Sequence, residues 1–179
     1  MKFKRILANL LQQFVPLRWA FSMAVKLFAP RNTVGVMGAI FNNSGQVLLV
    51  EHVFRPQQPW GLPGGWVERG EDPAQTIQRE LQEELNLAIA VRKLLFCEPQ
   101  GDESLSSTPL GLAIVFYCRL IDEQSTISLD NAHSAYEVLS YEWMYPHRIE
   151  IDLSPQQRKA IYMGQIEFDK EKNVQITKS

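Results

Sequence analysis

The sequence predicts an α/β layered domain in which β-strands surround one central helix and a second helix closes the chain. Three observations carry that prediction. From Thr33 onward the apolar residues fall into short β-type runs punctuated by Gly, Pro, Asn and Asp. A helix with its own start signals, Asp72-Pro73, interrupts those runs, and Ser154-Pro155 opens another near the end. The chain has 179 residues, enough for one domain with a real core and short for two.

Composition excludes several classes. Hydrophobic residues at 45% and charged residues at 21% are ordinary for a globular protein, which rules out a disordered, collagen-like or disulfide-scaffold chain. A net charge of −2 gives no global footprint for nucleic acid, so no nucleic-acid partner is expected. Cys97 and Cys118 lie apart, in apolar strand-like runs without a Cys/His cluster. They are expected to be buried free thiols of a reducing cytosol. The small net charge hides an asymmetry: residues 1–50 contain no Asp or Glu, whereas six acids fall between Glu68 and Glu84.

Residues 1–30 form an amphipathic basic extension. Phe3, Ile6, Leu7, Leu10, Leu11 and Phe14 recur at helical steps, Pro16 interrupts, and a second apolar set runs from Leu17 to Phe28. Gln12, Gln13, Pro16 and Arg18 break the apolar stretch, so it reads neither as a secretory signal nor as a transmembrane span. Two readings stay open: packing on the domain or on a second subunit, giving a homodimer, or peripheral contact with a membrane surface through Trp19 and the cations. The corresponding location is cytoplasmic, with membrane-surface association under the second reading.

The main domain spans residues 31–168. Thr33–Phe41 and Gln46–Val50 are strands joined by the Asn42-Asn43-Ser44-Gly45 turn. Residues 55–65 are a Pro/Gly-rich loop and Pro73–Leu85 a helix. Ala88–Cys97, Leu112–Ile121 and Tyr136–Met144 are further strands. The last helix runs from Pro155 to about Ile166, and residues 169–179 are a polar tail that frays.

The chemistry concentrates in residues 64–87. Asp72 is a good N-cap, Pro73 suits the first helical position, and Gln75 suits a capping box. Ala74, Ile77, Leu81 and Leu85 make the buried stripe, and Glu80, Glu83 and Glu84 share a neighbouring one. Like charges at that spacing cost a few tenths of a kcal/mol per pair. The stripe is either a solvated acidic face or a seat for a hard divalent cation, which takes carboxylate and phosphate oxygens. The Gly64-Gly65 turn before it allows close backbone approach.

This run resembles the Nudix box of the MutT-like superfamily, G-x5-E-x7-R-E-U-x-E-E-x-G-U with U aliphatic. Gly65, Glu71, Arg79, Glu80, Leu81, Glu83, Glu84 and Leu87 fill their places, and only the last glycine is replaced, by Asn86. Asn is the next-best residue for the left-handed cap at a helix end. The resemblance extends over roughly residues 33–166 and implies the Nudix fold, a mixed β-sheet sandwiched between helices.

What the resemblance implies for function is specific. The enzyme would hydrolyse a phosphoanhydride bond in a small-molecule diphosphate, either a nucleoside diphosphate linked to another moiety or a nucleoside triphosphate. It would use Mg²⁺, or Mn²⁺ in its place. Glu80, Glu83, Glu84 and the Gly64 carbonyl would hold the metal, and Arg79 would orient the glutamates. Glu71 would brace the loop or a metal-bound water. Glu137, ahead of the last strand, would be a further ligand or the general base, with Asp130 and Glu142 as rivals and Glu80 as the other base. Arg55 would touch substrate phosphates; His52 reads as a surface residue. The positions that would mark a substrate subfamily by a proline or a tyrosine are occupied here by Glu103, Ser104 and Leu105. Other readings are a non-catalytic nucleotide-sensing or membrane-recruited module, against which the complete set of glutamates speaks, and an isoprenoid diphosphate isomerase, for which Cys97 and Cys118 lack a matching motif. A di-iron protein would need paired Glu-x-x-His motifs, and there are none.

Overall fold

The computed structural model describes residues 33–53, 58–100, 111–129 and 137–178. The basic extension, Arg55 and Asp130 lie outside them. In chain order the elements are β1 (Thr33–Phe41), β2 (Val47–His52), β3 (Trp60–Gly61), β4 (Gly64–Trp66), α1 (Pro73–Leu85), β5 (Ile89–Gln100), β6 (Gly111–Leu120), β7 (Val138–Met144), a 3-10 turn (Pro146–Arg148) and α2 (Pro155–Lys178).

All seven strands join one mixed sheet, ordered β3-β2-β1-β6-β5, with β4 also paired to β1 and β7 to β2. β1 and β6 run parallel, from Thr33↔Gly111 to Phe41↔Arg119; the other pairs are antiparallel. β1 and β2 meet only at Phe41↔Val47, where the hairpin closes. Gly45 takes φ 81 there, which a glycine adopts without strain, and Gly45 N donates to Asn42 O at 3.0 Å.

The sheet is covered on both faces. Val36, Ile40, Leu48 and Val50 pack with Ile77, Leu81 and Leu85 of α1. The alternate residues Ala39, Phe41, Val47 and Leu49 pack with Ala160, Ile161 and Phe168 of α2. This two-faced burial, with side chains alternating along each strand, is the physical basis of the layered fold. No helix among the described residues is long and apolar enough to cross a membrane.

The cap residues at both ends of α1 are those the sequence predicts, but the Gln75 side chain makes no capping-box bond back to Asp72. Asp72 Oδ1 accepts from Ala74 N at 2.8 Å and from Gln75 N at 3.4 Å, with Pro73 in the first turn. Asn86 ends α1 at φ 52, ψ 39, and Leu87 N donates to Leu81 O at 3.1 Å, a Schellman-type closure. Replacing Asn86 with Ala keeps a Cβ in the left-handed region but removes Asn's polar compensation and should cost about 1 kcal/mol. Asn86→Gly should be close to neutral. Urea denaturation of the two variants reads the difference, and equal stabilities would argue against a conformational role for the cap.

Three sequence expectations need correcting. β3 and all but the last residue of β4 lie inside the segment read as loop. α2 continues to Lys178, past the Ile166 end and through the expected tail. Gln165–Asp169 and Lys170–Glu167 side-chain bonds at helical spacing support that stretch. Cys118 is buried but Cys97 is exposed, because β5 is an edge strand that neither helix covers along its whole length. Burial pushes the Cys118 thiol up to about 12.

Candidate active site

The site is built where β4 meets α1. β4 lies antiparallel to β1, with Gly65 opposite Val36 and Gly64 opposite Met37. Neither glycine has room for a side chain. A Cβ on Gly64 would stand 2.0 Å from the Val36 carbonyl oxygen, and one on Gly65 would stand 2.2 Å from the Glu80 carboxyl carbon. The glycine turn therefore packs its backbone directly against the first glutamate of the helix. The sequence signal for this contact is the fixed distance between Gly65 and Glu80.

Arg79 organises the acids around it. Its Nε donates to Glu71 Oε1 at 2.9 Å and its Nη2 to Glu71 Oε2 at 3.2 Å, a two-pronged pairing. Nη2 also donates to Glu80 Oε1 and Nη1 to Glu83 Oε2, each at 3.0 Å. Glu71 in turn accepts from Glu68 N at 3.2 Å, which braces the loop around Gly70. The Arg79 guanidinium holds the Glu71 carboxyl down at about 2, and that pairing raises the arginine further above its ordinary value.

The three glutamates expected to act alike are not equivalent. Glu83 is 43% exposed and Glu80 15%, while Glu84 is 5% exposed and counts among the few buried polar residues. Glu84 Oε2 is buried without a hydrogen-bond partner. Burial is the main reason its carboxyl is pushed up to about 8, followed by the Glu80 charge, a hydrogen bond from its carboxyl to Glu137, and the charges of Glu137 and Glu83. Glu80 is also raised, by burial against the opposing pull of Arg79, with Glu83 and Glu137 adding to the rise. Glu137 thus stands with Glu84 and Glu80, whereas its rival Glu142 is exposed on β7. His52 is half-buried rather than on the surface, with Nε2 shielded from solvent.

Do these residues fit a divalent cation? Among the described residues no three potential ligands are already gathered closely enough to hold one. Arg79 ties up one oxygen each of Glu80 and Glu83. Yet the donor set is all hard carboxylate oxygen, and one buried oxygen lacks any partner. It also holds a carboxyl that neutralises itself for want of a counter-charge. That set fits a hard divalent ion.

A pH dependence follows. Glu84's folded-state value of about 8 lies above its ordinary 4.5. The stability tied to its proton is fully present below pH 4.5, where both states hold the proton, and is lost as pH rises through 8. Without divalent metal, the protein should lose on the order of a few kcal/mol between pH 5 and 8. Thermal melts in chelator measure this, and Glu84→Gln should flatten the slope. An unchanged slope in that variant would remove Glu84 as its cause.

A layered α/β domain with a Gly-Gly turn packed on the carboxylates of one short helix defines a class of acidic-site proteins. The family follows by comparison: the model described as NUDIX domain matches residues 30–163, and the chain belongs to that family. It is similar to the Xenopus laevis protein nucleoside diphosphate-linked moiety X motif 6, 33% identical over 112 residues, covering 62% of this chain and 49% of that one. The chain spans about half the length or less of the curated relatives it matches. Among solved structures, a MutT NUDIX hydrolase from Burkholderia pseudomallei superposes with a TM-score of 0.58 at 23% identity, covering 75% of this chain and 98% of that one. The NUDIX domain of Shewanella oneidensis NrtR, complexed with ADP ribose, gives 0.60 at 19%, covering 90% and 97%. At those identities the likeness is one of fold.

Proposed function

We propose that this protein hydrolyses the phosphoanhydride bond of a nucleoside diphosphate linked to another moiety, with Mg²⁺ as its metal and Mn²⁺ as a substitute. The observation that carries the reading is Glu84: a buried carboxyl with an orphaned oxygen, facing Glu80 and Glu137 beside a turn that admits no side chain. Glu80, Glu83, Glu84 and the Gly64 carbonyl would hold the cation, with Glu137 as a further ligand or base. A cation bound there supplies charge neutralisation on the pyrophosphate and lowers the pKa of a water.

The chain's own groups do the rest. Arg79 holds Glu80 and Glu83 in place and fixes Glu71 under the loop. Glu80 or Glu137 would take the proton from the attacking water. Arg55 is the proposed phosphate contact from the loop after β2. The complete set of acids favours catalysis over a sensing role. Names of relatives point the same way, toward nucleoside diphosphate-linked substrates.

The test is a panel of diphosphates with Mg²⁺, spanning ADP-ribose, nucleotide sugars, dinucleoside polyphosphates, nucleoside triphosphates and 5-phosphoribosyl pyrophosphate. Phosphate, or phosphate freed from product by a phosphatase, is scored. Metal-dependent turnover of one class establishes the reading. Folded protein that binds Mg²⁺ and turns over none of them refutes it.

A further inference from the structure

We infer that the substrate's base is an adenine, stacked on the exposed Trp66 indole and read at its edge by the Gln100 amide, the two side chains meeting over Gly35. This rests on the hydrolase reading of the neighbouring carboxylates and names the substrate class for that site.

One row of the sheet crosses four strands. Trp66 of β4 pairs with Gly35 of β1, Gly35 with Ala113 of β6, and Ala113 with Glu98 of β5. Gln100 lies two residues along β5 from Glu98, so it belongs to the same face. Val36, the next residue on β1, packs toward α1, which puts this row on the opposite face.

At the centre of the row the missing Cβ of Gly35 lets two side chains close over the strand. A Cβ on Gly35 would stand 3.0 Å from Gln100 Oε1, 3.6 Å from its Nε2 and 3.6 Å from Cζ3 of the Trp66 indole. The amide and the aromatic ring thus converge on one point where the chain supplies no side chain. Trp66 is 54% exposed, a large ring left to solvent on a three-residue strand. Gln100 Oε1 is buried with no hydrogen-bond partner. An exposed indole beside an unsatisfied amide is costly for packing alone and well suited to a flat, polar-edged ligand.

The chemistry selects the ligand. A glutamine amide offers one acceptor and one donor side by side, which matches the N6–H and N7 edge of adenine. Guanine's N7/O6 edge offers two acceptors and leaves Oε1 unmatched. A two-ring base covers more of an indole than a pyrimidine does. The position suits a diphosphate as well, since Trp66 directly follows Gly65, the residue packed on the Glu80 carboxylate. Base and phosphates would lie on either side of the short strand β4.

The test compares ADP-ribose with 5-phosphoribosyl pyrophosphate, which carries a diphosphate and no base, in wild type, Trp66→Ala, Trp66→Phe and Gln100→Ala. Folding is checked by thermal melts. Each Ala variant should lower the ratio of kcat/KM for ADP-ribose to that for the baseless diphosphate by about tenfold, chiefly through KM, and Trp66→Phe should recover most of it. A UDP-linked substrate should lose less than the adenine one in Gln100→Ala. Equal losses on both substrates, or none, would overturn the base seat while leaving the hydrolase reading intact. So would wild-type turnover of the baseless compound alone. If wild type turns over neither, the wider diphosphate panel decides the hydrolase reading. Calorimetric binding of ADP-ribose then decides the seat: affinity lost in Trp66→Ala and Gln100→Ala supports it, and no binding to wild type overturns it.

Discussion

Glu84→Gln should reduce kcat with Mg²⁺ by roughly a thousandfold while leaving the protein folded. The amide keeps the shape of the side chain but removes the charge. Losing one charged ligand from a phosphoryl-transfer site removes several kcal/mol of transition-state stabilisation, and each 1.36 kcal/mol is about tenfold in rate. The same substitution should raise the melting temperature at pH 8 in chelator, because a buried acid that resists ionisation is replaced by a neutral group. Opposite signs for activity and stability are what a strained functional residue produces. If kcat falls less than tenfold, Glu84 is not a ligand in the working enzyme. If the melt falls as well, the residue is structural.

Gly64→Ala and Gly65→Ala should fail in different ways. At Gly64 the new methyl meets backbone, the Val36 carbonyl oxygen at 2.0 Å. A strand pairing cannot move aside locally, so the β1–β4 register should break, at a cost at or above the roughly 3 kcal/mol upper range for overpacking. At Gly65 the new methyl meets the Glu80 carboxylate, and a side chain can swing away. That variant should remain folded but lose most activity, with Glu80 driven off its Arg79 pairing. Urea denaturation and kinetics on both variants separate the cases. A fully active Gly65→Ala would refute the close contact as a catalytic requirement.

How much of this could be read from residues alone depends on whether local chemistry or tertiary context decides. Helix α1 was legible to its end residues, because Asp72, Pro73 and Asn86 act on their own neighbours. β1 and β6 were legible from apolar runs long enough to reach across a buried sheet. β3 and β4 were not, since strands of two and three residues carry no alternation and their Pro and Gly content reads as loop. The far end of α2 is polar, and its helicity rests partly on side-chain pairs such as Gln165–Asp169 rather than on a buried stripe.

Within the site, the spacing of Glu71, Arg79, Glu80, Glu83 and Glu84 was enough to bring them together, and Glu137 joins them as expected. Their ranking was not legible. Which glutamate is buried depends on what β4 and the segment before β7 lay over the helix. The same is true of Gln100 and Trp66. Nothing local distinguishes either from an ordinary strand residue until β4, β1, β6 and β5 are set side by side.

The parallel alignment of β1 with β6 also governs when the domain can form. β1 cannot complete its parallel ladder until the chain through Arg119 exists, because the β6 partner of Phe41 is Arg119. The β1–β2 hairpin can close early but joins the two strands at a single pair. The edge of β1 that β6 covers must therefore wait, unpaired, while β4, α1 and β5 are made. Long-range pairing of this kind is paid in loop entropy before it returns any contact, and it places folding toward the slower part of the microsecond-to-second range. During synthesis the half-built sheet would be an open edge, which makes the interval before β6 emerges the period of greatest exposure to aggregation.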